Sequence, residues 1–277
     1  MPITPVTPSF VLAISAEKTT MQTIPLPVPS DLPPDCLAGR VVLVTGASRG
    51  IGHAVARAVA AHGARALLAG RDVRRLEALA DEIEATGAAA PVILPINFEG
   101  AGVEDYETIA SLVQQNLGRL DAVVLNAAML GELCSLETSD PVLWARVFQV
   151  NVHSQYLLIR ALLPLLRQAD AGHVLACSSG VGRRGRALWG AYAASKFALE
   201  GMMQVLADEV RDVSGLNVNT INPGRTRTRM RAQAYPAENP ETLPTPEDIA
   251  PAFVAVLASR PAHRGAALEI VPAVPRT

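Results

Sequence analysis

Tyr192 and Lys196 stand four residues apart in Tyr192-Ala193-Ala194-Ser195-Lys196. On a helix that spacing puts both side chains on one face, one turn from each other. A free phenol has a pKa of about 10, too high for a base near neutrality. A neighbouring ammonium favours the phenolate and lowers that value. The tyrosine can then exchange a proton with an alcohol or a carbonyl oxygen. Arginine would replace the lysine poorly, because its broad planar head is not a compact donor. Composition makes the lysine conspicuous. The 277-residue chain has 24 basic residues, yet only Lys18 and Lys196 are lysines. A general bias toward arginine explains the scarcity of lysine but not the survival of one at 196.

A second constellation lies near the start of the regular pattern. The β-branched run Val41-Val42-Leu43-Val44 leads into Thr45-Gly46-Ala47-Ser48-Arg49-Gly50-Ile51-Gly52, and a helical stretch follows. Gly46, Gly50 and Gly52 permit a tight turn, close backbone approach and close helix packing. The N–H groups of Ser48, Arg49, Gly50 and Ile51 at the new helix would face an anion. Dinucleotide sites that take NAD usually place an acid about 20 residues after the glycines. Here Ala69-Gly70-Arg71 occupies that point. Arg71 and Arg49 are suited to a 2′-phosphate, so NADP(H) is preferred over NAD(H); the alternative is that Arg71 only solvates a helix start.

The elements that must carry these groups alternate. Strands are expected at 41–44, 66–69, 92–94, 122–125, 173–178, 216–221 and 267–271. Helices are expected at 50–62, 72–86, 104–117, 140–168, 191–212 and 246–259. Apolar strands alternating with helices imply an α/β, doubly wound parallel sheet of about seven strands in three layers, the Rossmann fold. Residues 36–275 form one domain without an internal linker. Residues 1–35 are a Pro-rich leader, expected to be flexible: eight of the 21 prolines fall within 1–34 and forbid a long helix or a central strand. Met21 offers an alternative start, which would make 1–20 non-native.

Composition excludes several classes. At 49% hydrophobic and 18% charged residues the chain is too apolar to be disordered. A net charge of −2 argues against wholesale nucleic-acid binding, and few aromatics (4%) argue against a base-stacking surface. No apolar run approaches the ~20 residues needed to span a bilayer. Cys36, Cys134 and Cys177 are far apart and form no CxxC pair, and no histidine has metal-ligand spacing, so neither a disulfide framework nor a metal site is indicated. A cytoplasmic setting is the expectation.

The T-G-x-x-x-G-x-G loop and the Y-x-x-x-K pair, at this separation, together resemble the single-domain short-chain dehydrogenase/reductase family over residues 36–275. The resemblance extends to a bacterial branch over 177–208 and 219–232. It implies that Ser179, thirteen residues before Tyr192, binds the substrate oxygen, with Ser178 as the rival. It implies that Asn151 supports a water and the lysine in a proton relay. Pro223 and Gly224 would contact the nicotinamide, and Thr226 and Thr228 would reach its amide and the phosphates. Two departures stand out. Asn126 is kept but Ala128 replaces a glycine, and Asn97 stands where an acid usually lies near the adenine. The implied activity is hydride transfer between nicotinamide and a carbonyl or secondary alcohol, with Tyr192 as general acid/base and Lys196 on the ribose. The alternative is a non-catalytic NADP-binding regulator or scaffold. By family analogy the protein is a homodimer or homotetramer.

Seven arginines crowd two acid-poor loops: Arg183, Arg184 and Arg186, then Arg225, Arg227, Arg229 and Arg231. They suit attraction of an anionic substrate, such as a phosphorylated carrier or a CoA thioester. Alternatively they bind the cofactor pyrophosphate or pair with acids across a subunit interface.

Overall fold

Short runs of Val, Leu, Ile and Ala become strands, and those in the middle of the sheet are buried on both faces. In chain order the strands are β1 (Gln22–Pro27), β2 (Val41–Thr45), β3 (Arg65–Gly70), β4 (Val92–Pro95), β5 (Ala122–Leu125), β6 (His173–Cys177), β7 (Asn217–Asn222) and β8 (Ala266–Val271). The helices are α1 (Gly50–Ala61), α2 (Val73–Glu84), α3 (Val103–Leu117), α4 (Pro141–Phe148), α5 (Ser154–Leu166), α6 (Gly190–Glu209), α7 (Arg229–Ala234) and α8 (Pro246–Ala258). The coordinates are a computed structural model that describes residues 21–211, 215–259 and 264–271. The expectations for residues 1–20, 212 and 272–275 lie outside the described residues.

The strands form one parallel sheet in the order β1-β8-β7-β6-β5-β2-β3-β4. The order reverses between β2 and β5, which opens a crevice at their carboxyl ends. Helices α1, α2 and α8 cover one face through residues such as Val55, Leu76 and Phe253. Helices α3, α5 and α6 cover the other through Tyr106, Leu162 and Met203. Sequence dictates these helices locally. In α2 the buried Leu76, Leu79, Ala80 and Ile83 follow a helical period, and Asp72 caps the first turn by accepting from the Arg75 N–H. In α8 Thr245 and Asp248 form a reciprocal capping box with Pro246 in the first turn.

Two expectations change. The leader is not wholly flexible: Gln22–Pro27 adds an eighth strand, pairing in parallel with β8 from Gln22↔Ala266 to Pro27↔Val271. Prolines exclude a central strand but are tolerated at an edge, where one row of N–H groups has no partner to meet. Leu26 from this strand joins the core, and Leu37 beyond it is fully buried. The 140–168 helix is also interrupted. A π-helical turn, Gln149–His153, separates α4 from α5.

Candidate active site

The phosphate loop is held from below. Thr45, at the end of β2, is fully buried. Its hydroxyl accepts from the backbone N–H groups of Asn126 and Ala127, each at 2.9 Å. Asn126 Nδ2 donates to the Thr45 carbonyl at 3.0 Å. These bonds lock the ends of β2 and β5 together across the crevice. Gly46 and Gly50 have left-handed φ values of +66° and +59°, and a Cβ on Gly52 would lie 2.4 Å from the Gly46 carbonyl oxygen. The loop therefore needs glycine at these positions for conformation and for contact. Helix α1 begins at Gly50 without a side-chain cap, so its first N–H groups remain open to an anion.

A cavity of about 580 Å³ runs from this loop to helix α6. Gly46, Ser48, Arg49, Gly50 and Ile51 border one end, with Arg71 and Asn97. Tyr192, Lys196, Pro223 and Thr228 border the other, and Asn126 lies between. Gly52, Asn151, Ser179, Gly224 and Thr226 are not among the residues that border the cavity. Leu130, Leu143 and Met230 give the Tyr192 end an apolar lining.

Helix α6 carries Tyr192 and Lys196, both largely buried. The Lys196 ammonium donates to the Cys177 carbonyl at 2.6 Å, at the end of β6, and lies 5.7 Å from the Tyr192 ring centre. Burial pulls the lysine pKa down to about 8, partly opposed by charge interactions with Cys177 and Glu200. Burial also pushes the Tyr192 phenol well above its ordinary value, reinforced by Cys177 and opposed by a hydrogen bond with Ser179. Burial of the phenol outweighs the other influences on it here, and Lys196 is not among the groups that lower its pKa.

Ser179 precedes a short 3-10 turn, Gly180–Gly182, in extended conformation. Ser178 borders the cavity but its Oγ is buried without a partner. Of the two serines, Ser179 rather than Ser178 is the one whose hydrogen bond opposes the rise of the Tyr192 pKa.

Asn151 sits in the π-helical turn and is fully buried. Its Oδ1 accepts from Met129 N–H at 2.7 Å, and its Nδ2 donates to the Met129 carbonyl at 2.9 Å and to Ser195 Oγ at 2.9 Å. Ser195 Oγ in turn donates to the Tyr192 carbonyl at 2.8 Å. Asn151 thus braces helix α6 through Ser195, and its hydrogen bonds do not include Lys196. The extra residue of a π turn re-aims this amide, a device frequent at functional sites.

The turn after β7 is also self-contained. Gly224 has φ +71°, and its N–H donates to Asn222 Oδ1 at 3.1 Å. Thr226 gives its hydroxyl to the Pro223 carbonyl at 3.2 Å, so in this arrangement it tightens the turn. Thr228 caps α7 by accepting from Arg231 N–H and lies over Gly50.

Most of the loop arginines are engaged within the chain. Arg183 is half-buried and donates to Glu200 at 3.0 Å, and to Thr220 and the Leu268 carbonyl at 3.3 Å. Glu200 also accepts from Thr220 at 2.8 Å. Arg186 donates to the Tyr235 hydroxyl. Arg231 forms a two-pronged pair with Glu238 and stacks 3.7 Å over the Tyr235 ring. Arg227 pairs with Glu241 at 3.2 Å, and Arg225 stands 3.9 Å from Glu238. Arg229 alone of the seven borders the cavity. Intramolecular pairing, which the sequence reading did not weigh, thus takes up most of them.

Sequence reasoning also missed Thr45, Glu200 and Glu99. Thr45 and Glu200 carried visible signals: one begins the glycine motif, and the other lies one turn beyond Lys196.

Comparison with known proteins agrees with this geometry. The family model for short chain dehydrogenases matches residues 40–239. An uncharacterized oxidoreductase, YciK, of Escherichia coli K12 is 47% identical over 220 residues, covering 79% of this chain and 86% of that protein. A short chain dehydrogenase structure from Pseudomonas syringae superposes with a TM-score of 0.83 at 47% identity, covering 85% of this chain and 96% of its own. One from Escherichia coli CFT073, described as complexed with NADPH, gives 0.82 at 46% identity, covering 85% and 98%. With a glycine loop under the β2–β5 crevice and a tyrosine–lysine helix beside it, the chain belongs to the short-chain dehydrogenase/reductase family of oxidoreductases.

Proposed function

We propose that the protein is an NADP(H)-dependent oxidoreductase that interconverts a carbonyl and a secondary alcohol. The observation that carries this reading is one cavity joining the uncapped start of α1 to Tyr192 and Lys196. NADP(H), when bound, supplies or accepts the hydride. Ser48, Arg49, Gly50 and Ile51 suit its pyrophosphate, Arg49 and Arg71 its 2′-phosphate, and Asn97 its adenine. Pro223, Gly224, Thr226 and Thr228 frame the nicotinamide end. The NADPH complex of the 46% identical relative supports the cofactor choice.

Ser179 and Tyr192 hold the substrate oxygen. The phenol, kept protonated by burial, donates its proton to that oxygen as the carbonyl is reduced. Lys196 holds the ribose and supplies positive charge beside the phenol. Asn151 acts through Ser195 to fix the helix that carries both.

The substrate is a small molecule, and Arg229 at the cavity rim suits an anionic one. Tyr156, Phe197 and Val205 expose about half of their surface on α5 and α6, which suits a homo-oligomeric contact. None of the helices among the described residues is long and apolar enough to cross a membrane, and we place the enzyme in the cytoplasm.

A screen with NADPH and NADH against neutral and acidic carbonyls tests the reading. Substrate-dependent oxidation of NADPH is the expected result. Activity with NADH alone overturns the cofactor assignment.

A further inference from the structure

Glu99 follows β4 and borders the cavity together with Gly70, Arg71 and Asn97. It is the one acid, among the described residues, in a lining that also holds Arg49, Arg71, Lys196 and Arg229. Two arginines share it unequally. Arg146, from α4, donates through Nε at 2.6 Å, whereas Arg71 Nη1 stands 3.8 Å away, beyond hydrogen-bond length. The Arg146 hydrogen bond, with the positive charge of both arginines, holds the Glu99 carboxyl below the usual carboxylate range. Glu99 is therefore an anion at neutral pH.

Arg71 is the group suited to a 2′-phosphate, and it already faces a carboxylate. A phosphate arriving there competes with Glu99 for one cation and meets a like charge. The contact that must give way is the longer one, and Arg146 still neutralises the carboxylate afterwards. We infer that Glu99 is a built-in counter-ion of Arg71 that a 2′-phosphate displaces, with Arg146 holding the displaced carboxylate. This trio then sets how strongly the protein discriminates NADP(H) from NAD(H). The inference rests on the cofactor reading above, yet its sign can be read separately.

Equilibrium titration of NADPH and NADH, followed by nicotinamide fluorescence without substrate, provides the test. Glu99→Gln keeps the shape and removes the charge. It should raise the ratio of the NADH Kd to the NADPH Kd about three- to fivefold, the range of a partly exposed ion pair. Arg146→Met frees the carboxylate for Arg71 and should lower the ratio by a similar factor. In the double variant the effect of Arg146→Met should shrink below about twofold, because its target is gone. A ratio unchanged or lowered in Glu99→Gln overturns the counter-ion. An Arg146→Met effect that persists undiminished in the double variant overturns the role of Arg146. Wild-type protein that binds NADH more tightly than NADPH overturns the cofactor reading, while the shift produced by Glu99→Gln still judges the counter-ion.

Discussion

The Lys196 ammonium donates to the Cys177 carbonyl at 2.6 Å and lies 5.7 Å from the centre of the Tyr192 ring. The lysine is thereby tied to β6, one turn along α6 from the phenol. This bond ties helix α6 to the end of β6. It also buries a cation whose pKa burial lowers from 10.5 to about 8.

Opposite pH trends in rate and stability follow. If the ammonium is the active form, kcat/KM for carbonyl reduction falls above about pH 8 as Lys196 loses its proton. Stability moves the other way. The unfolded lysine holds its proton up to about pH 10.5, so between about 8 and 10.5 the unfolded state binds more protons and this group's contribution rises with pH. Rate profiles and urea unfolding at pH 7 to 10 check both trends. A rate that holds constant to pH 10 contradicts the role given to the ammonium.

His173, at the start of β6, is buried, and burial holds its pKa near 4 against a reference of 6.5, with Arg40 adding to the shift. Its folded pKa lies below its unfolded one. The associated stability is complete above about pH 6.5 and lost as pH falls toward 4. The difference corresponds to roughly 3 kcal/mol. Unfolding titrations of wild type and His173→Gln across that window should diverge in slope.

Arg183 and Glu200 join the turn after Ser179 to α6, β7 and β8. Removing one partner leaves a buried charge unpaired, at a cost of about 3 kcal/mol. Arg183→Met should lower the midpoint of urea unfolding accordingly, and adding Glu200→Gln should recover part of the loss. Equal stability of wild type and Arg183→Met contradicts the buried-pair account.

Arg229 borders the cavity beside Met230. For an acidic carbonyl substrate, Arg229→Ala should raise KM about tenfold, the worth of a charge-assisted hydrogen bond. A neutral substrate should be little affected. Equal losses on both substrates would assign Arg229 to the cofactor or to the fold.

The parts legible in sequence are those specified by neighbours along the chain. Tyr192 and Lys196 share a helix turn, and Gly46, Gly50 and Gly52 share a loop, so spacing alone locates them. Alternating apolar strands and amphipathic helices gave the doubly wound sheet for the same reason. Relationships across the fold stayed hidden. Glu99 meets Arg146 across 47 residues and Arg183 meets the Leu268 carbonyl across 85. Nothing local marks either arginine as engaged. The π turn at Asn151 is invisible because one extra residue in an apolar stretch scarcely disturbs its period. The leader strand was missed because Pro25 and Pro27 signal a loop, although an edge strand accepts them.

The central claim is that Tyr192 is the proton donor in a preformed NADP(H) site. The direct measurement is Tyr192→Phe, read by NADPH titration and by turnover on a carbonyl found in the screen. The account predicts an NADPH Kd within about twofold of wild type and a loss of turnover of about 10²-fold or more. Turnover equal to wild type would contradict it.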